Sequence, residues 1–150
     1  MAIVINLIEN IFIPPLTFGI RFGLANIISL VSLKILGKRE MGFIILVRLT
    51  LGNILKGTIF GTPFLISAAG LLLSSLGILI CEKFHCSVIF TSMMSSILHS
   101  GGQMLAVCFI YDQVNIIAIL PLLIIGSLVS GVLTGTISHT IIQRVHADSL

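Results

Sequence analysis

Three stretches of this chain run for the thickness of a bilayer almost without charge: 62–80 and 86–111 contain no Asp, Glu, Lys or Arg, and 113–143 contains none either. A membrane's hydrocarbon layer is about 30 Å thick, so a helix rising 1.5 Å per residue needs about 20 apolar residues to cross it. Each stretch meets that length, with His99 and His139 the only residues in them that titrate near neutrality. The last exceeds one crossing. Its helix is therefore expected from about Ile119, with Pro121 in the first turn, where the missing N–H costs no hydrogen bond.

Composition leads to the same solvent. Hydrophobic residues make up 57% of the 150, and eight Lys and Arg with five Asp and Glu make up only 9%. A soluble domain carries about 25% charged residues. With so few, a water-facing surface would be left with large apolar patches. A soluble enzyme, a nucleic-acid binder and a disordered chain are all excluded by this arithmetic, and the lipid bilayer is the first partner implied. The net charge of +3 then reads as the basic excess of cytoplasmic loops, which sets orientation.

Two shorter apolar stretches are also expected to be helices. Residues 22–37 are apolar apart from Lys34, whose stem can snorkel to the interface, and 40–56 carry Arg48 in their interior. Residues 1–13, closed by Pro14-Pro15, reach only about 20 Å as a helix, too short to span. They are read either as a half-helix or, in preference, as the end of a longer first helix. The expected fold is thus an all-α integral membrane protein, a single transmembrane domain over 1–150. Its roughly six helices fall at 1–13, 22–37, 40–56, 62–81, 86–111 and 119–143, the first truncated. No cleavable signal sequence is read at the amino end, which lacks a basic region and a small-residue cleavage site.

Basic residues orient it. With the amino end in the cytoplasm, the inner regions hold Lys34, Lys38, Arg39, Lys83 and Arg144, and the outer loops hold only Arg21 and Lys56. Both termini are expected to be cytoplasmic in a multi-pass cell-membrane protein.

The few polar residues inside helices carry the functional question. Arg48 sits near the middle of its helix, where a charge costs about 2.5–3.5 kcal/mol on insertion scales. It serves either as an anchor for the anionic or carbonyl group of a bound small molecule, or as one half of a structural ion pair with Glu9. His99 and Gln103 lie four apart on one helical face, in Ser95-Ser96-Ile97-Leu98-His99-Ser100-Gly101-Gly102-Gln103. They form either a polar pocket stripe or inter-helix hydrogen bonds, and Gly101-Gly102 lets a ligand or another backbone approach. Asn26, one turn from Arg21, and Asn53, beside Lys56, fall on the same outer side.

Gly126, Ser127, Ser130, Gly131 and Gly135 repeat small residues at four-residue spacing, the signature of closely packed membrane helices, whether within this chain or between subunits. Cys81-Glu82-Lys83-Phe84-His85-Cys86 matches no zinc spacing, and three cysteines are too few for a disulfide framework. No metal or other cofactor is expected. No phosphate-binding GK[ST] loop occurs, so the chain is not its own ATPase. His139, His146 and Asp148 are assigned to a solvated tail.

Several of these segments together resemble the Gx transporter family, also labelled heptaprenyl diphosphate synthase component I-like. Arg21-Phe22-Gly23-Leu24-Ala25-Asn26-Ile27-Ile28-Ser29-Leu30 resembles its LGLAN segment. Residues 47–60, from Val47-Arg48 through Gly52-Asn53 to Phe60, are similar to its Arg-bearing helix and following turn. His99-Ser100-Gly101-Gly102-Gln103 resembles its His-Asn-x-Gly-Gln segment, with Ser100 where Asn is common, and 126–135 resembles its Gly-rich last helix. The likeness covers about 14–144. The amino end departs from it, since family members show a longer first helix.

The resemblance implies a bundle like the substrate-binding S components of energy-coupling-factor vitamin transporters. Those hold a small molecule near the outer face, dock on a shared membrane subunit with two ATPases, and toggle to release cargo inward. Small residues on the first helix make their docking surface. The leading expectation is accordingly a non-catalytic subunit that captures a small molecule, lined by some of Arg48, His99, Gln103, Asn26 and Asn53. The alternative is a membrane accessory to a soluble polyprenyl diphosphate synthase. Catalysis by the chain itself is not expected, because prenyl elongation holds diphosphates through Mg²⁺ on paired carboxylates. Asp112 and Asp148 are the only aspartates here.

Overall fold

A computed structural model describes residues 24–55 and 57–147. Five α-helices run through them: α1 (Leu24–Ile35), α2 (Lys38–Leu55), α3 (Thr62–Lys83), α4 (Val88–Tyr111) and α5 (Leu120–Ala147), with a 3-10 turn at Val114–Ile119 leading into α5. Among the described residues there is no strand. The helix expected at 1–13, with Glu9, lies outside them.

Local chemistry sets the helix limits. Gly61 caps α3 in extended backbone, and Pro63 stands in the first turn, where its fixed φ suits the helix. Ser87 caps α4, its hydroxyl accepting from the Phe90 N–H at 3.3 Å. Asp112 ends α4 in the left-handed conformation. Gly37 makes the sharp turn between α1 and α2 at φ +117°, a value that favours glycine.

Three helical stretches are long and apolar enough to cross a membrane: Thr62–Lys83, Val88–Tyr111 and Val114–Val145. Asn26–Ile35 is apolar but shorter. α2 has 18 residues and carries Lys38, Arg39, Glu40 and Arg48. The described residues therefore supply three spans by length and composition, where the sequence reading expected about six helices across the membrane.

α4 is the middle of the bundle, with α3 along one side and α5 along the other, while α1 and α2 pack more sparsely around this trio. Apolar burial is concentrated between α1, α2 and α3, where Leu30, Leu33, Met41, Ile45, Leu71 and Ile78 form one cluster. The α4–α5 seam is different. Among the buried residues of these two helices are Ser92, Ser95, Ser96, Ser127, Ser130, Thr134 and Ser138, with Gly131 and Gly135. Outward stand Leu72, Leu76, Leu105, Phe109, Ile125, Val129 and Leu133, with Phe109 90% exposed. Small polar groups inside and large apolar groups outside is the distribution that acyl chains favour, because lipid gives no hydrophobic gain for burying leucine. An ion pair, Lys34 Nζ to Glu82 Oε2 at 2.7 Å, ties the last turns of α1 and α3 together.

Candidate functional site

Three of the predicted polar residues lie at similar distances along their own helices. Asn26 lies nine residues before the end of α1, Arg48 ten after the start of α2, and His99 eleven after the start of α4. At 1.5 Å per residue each sits roughly 15 Å along its helix from the end of the bundle where α1 joins α2 and α3 joins α4. All three are half-buried.

Asn26 reaches α4. Its amide Nδ2 donates to Ser95 Oγ at 2.9 Å, and the Ser95 hydroxyl lies 3.3 Å from Asn26 Oδ1. Ser95 is completely buried, so this contact answers a hydroxyl that lipid could not satisfy.

His99 and Gln103 share the face of α4 that meets α3 at Gly70. A Cβ at residue 70 would fall 2.7 Å from Gln103 Cγ, 2.9 Å from the His99 carbonyl oxygen and 3.1 Å from His99 Cε1. The absent side chain is what lets this imidazole and amide lie across α3. Of the two adjacent glycines, Gly102 is the one approached by a backbone: a Cβ there would meet the Ala69 carbonyl oxygen at 2.8 Å, whereas one at Gly101 would meet nothing within 4 Å.

Arg48 falls on the inward face of α2, three residues after buried Ile45 and seven after buried Met41. Glu9, its expected ion-pair partner, lies outside the described residues. Asn53 makes its side-chain bonds within its own stretch of chain. Its Nδ2 donates to the Leu49 carbonyl at 2.7 Å, and its Oδ1 accepts from the Thr58 hydroxyl at 3.1 Å. The Thr58 N–H also donates to the Asn53 carbonyl at 3.0 Å. Together with the Thr58 hydroxyl, this last bond ties the turn after α2 back onto the helix end, where carbonyls run out of partners within the helix. Lys56 and Arg21 lie outside the described residues.

The small residues of α5 lie against α4 of the same chain. A Cβ at Gly131 would stand 2.7 Å from Met93 Cα, and one at Gly135 would stand 2.9 Å from Ile89 Cα. Ser127 and Ser130 are buried and Gly126 is half-buried. Hydroxyl bonds cross the seam, Ser92 to Thr134 at 2.8 Å and Ser100 to Ser127 at 2.6 Å. Thr134 and its partner Ser92 were not singled out from the sequence, nor were Gly70 and Gly77 on α3. The signal was there, since Ser92 extends the Ser95, Ser96, Ser100 run by one turn and Thr134 lies four after Ser130.

This arrangement can do only part of what polar residues do in proteins. It offers an amide, an imidazole, a guanidinium and hydroxyls, all suited to hydrogen bonding an uncharged or anionic molecule. The acidic residues among those described, Glu40, Glu82 and Asp112, stand at helix ends. No group of three or more His, Cys, Asp or Glu side chains able to hold a metal ion occurs among the described residues.

Comparison with known proteins places the chain in one family. The model of a family described as heptaprenyl diphosphate synthase component I matches residues 1–141. No curated protein and no solved structure matches the chain. With nearly its whole length matched, the chain belongs to the heptaprenyl diphosphate synthase component I family.

Proposed function

We propose that this chain is a membrane-embedded binding subunit, similar to the S components of vitamin transporters, which captures a small molecule and works with partner subunits. The observation that carries this reading is that Asn26, Arg48 and His99 each lie well inside a helix, at similar distances along three different ones, with Gln103 one turn from His99. Polar groups inside membrane helices are costly, and those that persist usually face a bundle interior, a cavity or a partner. Selectivity would come from hydrogen bonds left unmade when the wrong molecule enters. In this reading Arg48 holds an anionic or carbonyl group while Asn26, His99 and Gln103 read the rest, and a coupling subunit with ATPases supplies the energy. The basic residues Lys34, Lys38, Arg39, Lys83 and Arg144 would face the cytoplasm, as would both termini.

The test is mass spectrometry of small molecules released from the detergent-purified protein, wild type against His99→Ala and Asn26→Ala. A compound enriched on the wild type and lost from both variants supports capture. Equal recovery from all three proteins would sink it.

A second reading is favoured by the family match itself: a non-catalytic membrane component that receives or presents the product of a soluble polyprenyl diphosphate synthase. Five acidic residues scattered through 150 do not provide the paired carboxylates that hold Mg²⁺-diphosphate, so the chemistry would belong to the partner. Affinity isolation from native membranes separates the two readings. A coupling subunit with ATPases supports the first, and a soluble prenyl synthase supports the second.

A further inference from the structure

The corner between α3 and α4 places two thiols together. Two crossed backbone bonds end α3: the Cys86 N–H donates to the Cys81 carbonyl at 3.0 Å, and the His85 N–H donates to the Glu82 carbonyl at 3.1 Å. His85 takes the left-handed conformation at φ +53°. This is the Schellman way of ending a helix, and it sets the side chains of the third-last helical residue and the second residue past the end beside one another, usually as an apolar contact. Here both are cysteines. The two thiols are close enough to influence one another electrostatically.

The backbone limits how far apart the pair can be. One hydrogen bond of 3.0 Å joins the carbonyl of residue 81 to the nitrogen of residue 86, which with the adjoining covalent geometry holds the two Cα atoms within about 7 Å. Disulfides span Cα separations of about 4.4–6.8 Å. Cys81 is buried and Cys86 half-buried, so one thiol can meet a reagent and the other is held behind it. Cys108 lies elsewhere, near the opposite end of α4.

We propose that Cys81 and Cys86 form a redox-active dithiol, a modification site that exchange with a small-molecule disulfide closes into an intramolecular disulfide. Cys86, the more accessible, loses its proton and attacks one sulfur of the reagent, forming a mixed disulfide and releasing one reagent thiolate. Cys81 then loses its proton and attacks the Cys86 sulfur, breaking the mixed disulfide and releasing the second thiolate. Two protein thiols are oxidised, one reagent disulfide is reduced, and the two protons end on the released thiols. A reducing compartment keeps the pair open. Closure fastens the corner beside Glu82, the residue that holds Lys34 of α1.

The experiment uses the full chain in detergent micelles. The protein is incubated with oxidised or reduced glutathione, denatured, and alkylated, and its modified thiols are counted by intact mass. The expected count falls from three in the reduced sample to one in the oxidised sample, returns to three with dithiothreitol, and the peptide map joins residue 81 to residue 86. Cys108→Ser should still lose two thiols on oxidation, and Cys86→Ser should form no internal bridge. Three alkylated thiols after oxidation, a glutathione adduct persisting on Cys86 beside a free Cys81, or a bridge that includes Cys108 would each overturn the assignment.

Discussion

Ser92 on α4 and Thr134 on α5 share a hydroxyl–hydroxyl hydrogen bond of 2.8 Å, with both side chains at or below 1% exposure. The Thr134 hydroxyl is also within reach of the carbonyls of Ser130 at 2.9 Å and Gly131 at 3.3 Å. The bond across the seam is therefore one of several that the group can make. Thr134→Val keeps the shape and should cost about 0.6 kcal/mol, with about 1.7 kcal/mol as the upper end for such bonds between membrane helices. Reversible unfolding in mixed micelles, run as a double-mutant cycle with Ser92→Ala, measures the coupling directly.

Gly131 faces a sterner limit, because its neighbour is backbone. With Met93 Cα 2.7 Å from where a methyl would stand, Gly131→Ala must push α5 from α4. A loss on the order of 1–3 kcal/mol is expected, larger than that of Thr134→Val. Thermal unfolding in detergent gives the order of the two variants.

Gly70 offers a way to disturb the polar face of α4 without removing a polar group. Gly70→Ala places its methyl 2.9 Å from the His99 carbonyl oxygen and 3.1 Å from the imidazole. It should lower stability by an amount on the order of 1–3 kcal/mol and reduce recovery of any small molecule that co-purifies with the wild type. Unchanged recovery would mean that the face of His99 toward α3 takes no part in binding.

Arg48→Leu separates anchoring from packing. The binding reading expects the co-purified small molecule to disappear at 25 °C, where the variant is still folded by circular dichroism. Loss of folding with no change in the molecule recovered from the folded fraction would assign Arg48 to a structural pair instead.

Lys34 and Glu82 are joined at 2.7 Å with side chains 33% and 27% exposed. Screening at that exposure limits the pair to about 0.2–1 kcal/mol. Lys34→Glu should be destabilising by about that amount, the exchange Lys34→Glu with Glu82→Lys should recover most of it, and 1 M salt should shrink the difference. The melting temperatures of the three proteins at low and high salt check the sign.

Helix placement was readable wherever an uncharged run met a capping residue, as at 62–81, where the helix extends only to Lys83, and at 86–111, where it begins at Val88. Shared faces were readable from spacing: His99 and Gln103 do face one neighbour, because four residues nearly complete a turn. What the spacing could not say was which neighbour. The imidazole lies against Gly70, and nothing in the sequence around 70 marks it as the counterpart of 99. Asn53 shows a different limit. An asparagine near a helix end reads equally well as ligand contact or as cap, and only its bonds to Leu49 and Thr58 show what it does for the backbone.

The two seams of α4 differ in kind from the packing of α1 and α2. Where glycine lets main chain meet main chain, at Gly70 and Gly102 on one side and Gly131 and Gly135 on the other, sliding by even a fraction of a turn drives a Cα into its opposite. The α1–α2 pair rests instead on leucine, methionine and isoleucine side chains that can change rotamer and re-interlock. The α3–α4–α5 trio is therefore the stiff part of the described bundle, and the α1–α2 hairpin, turned at Gly37, is the part that repacks at least cost.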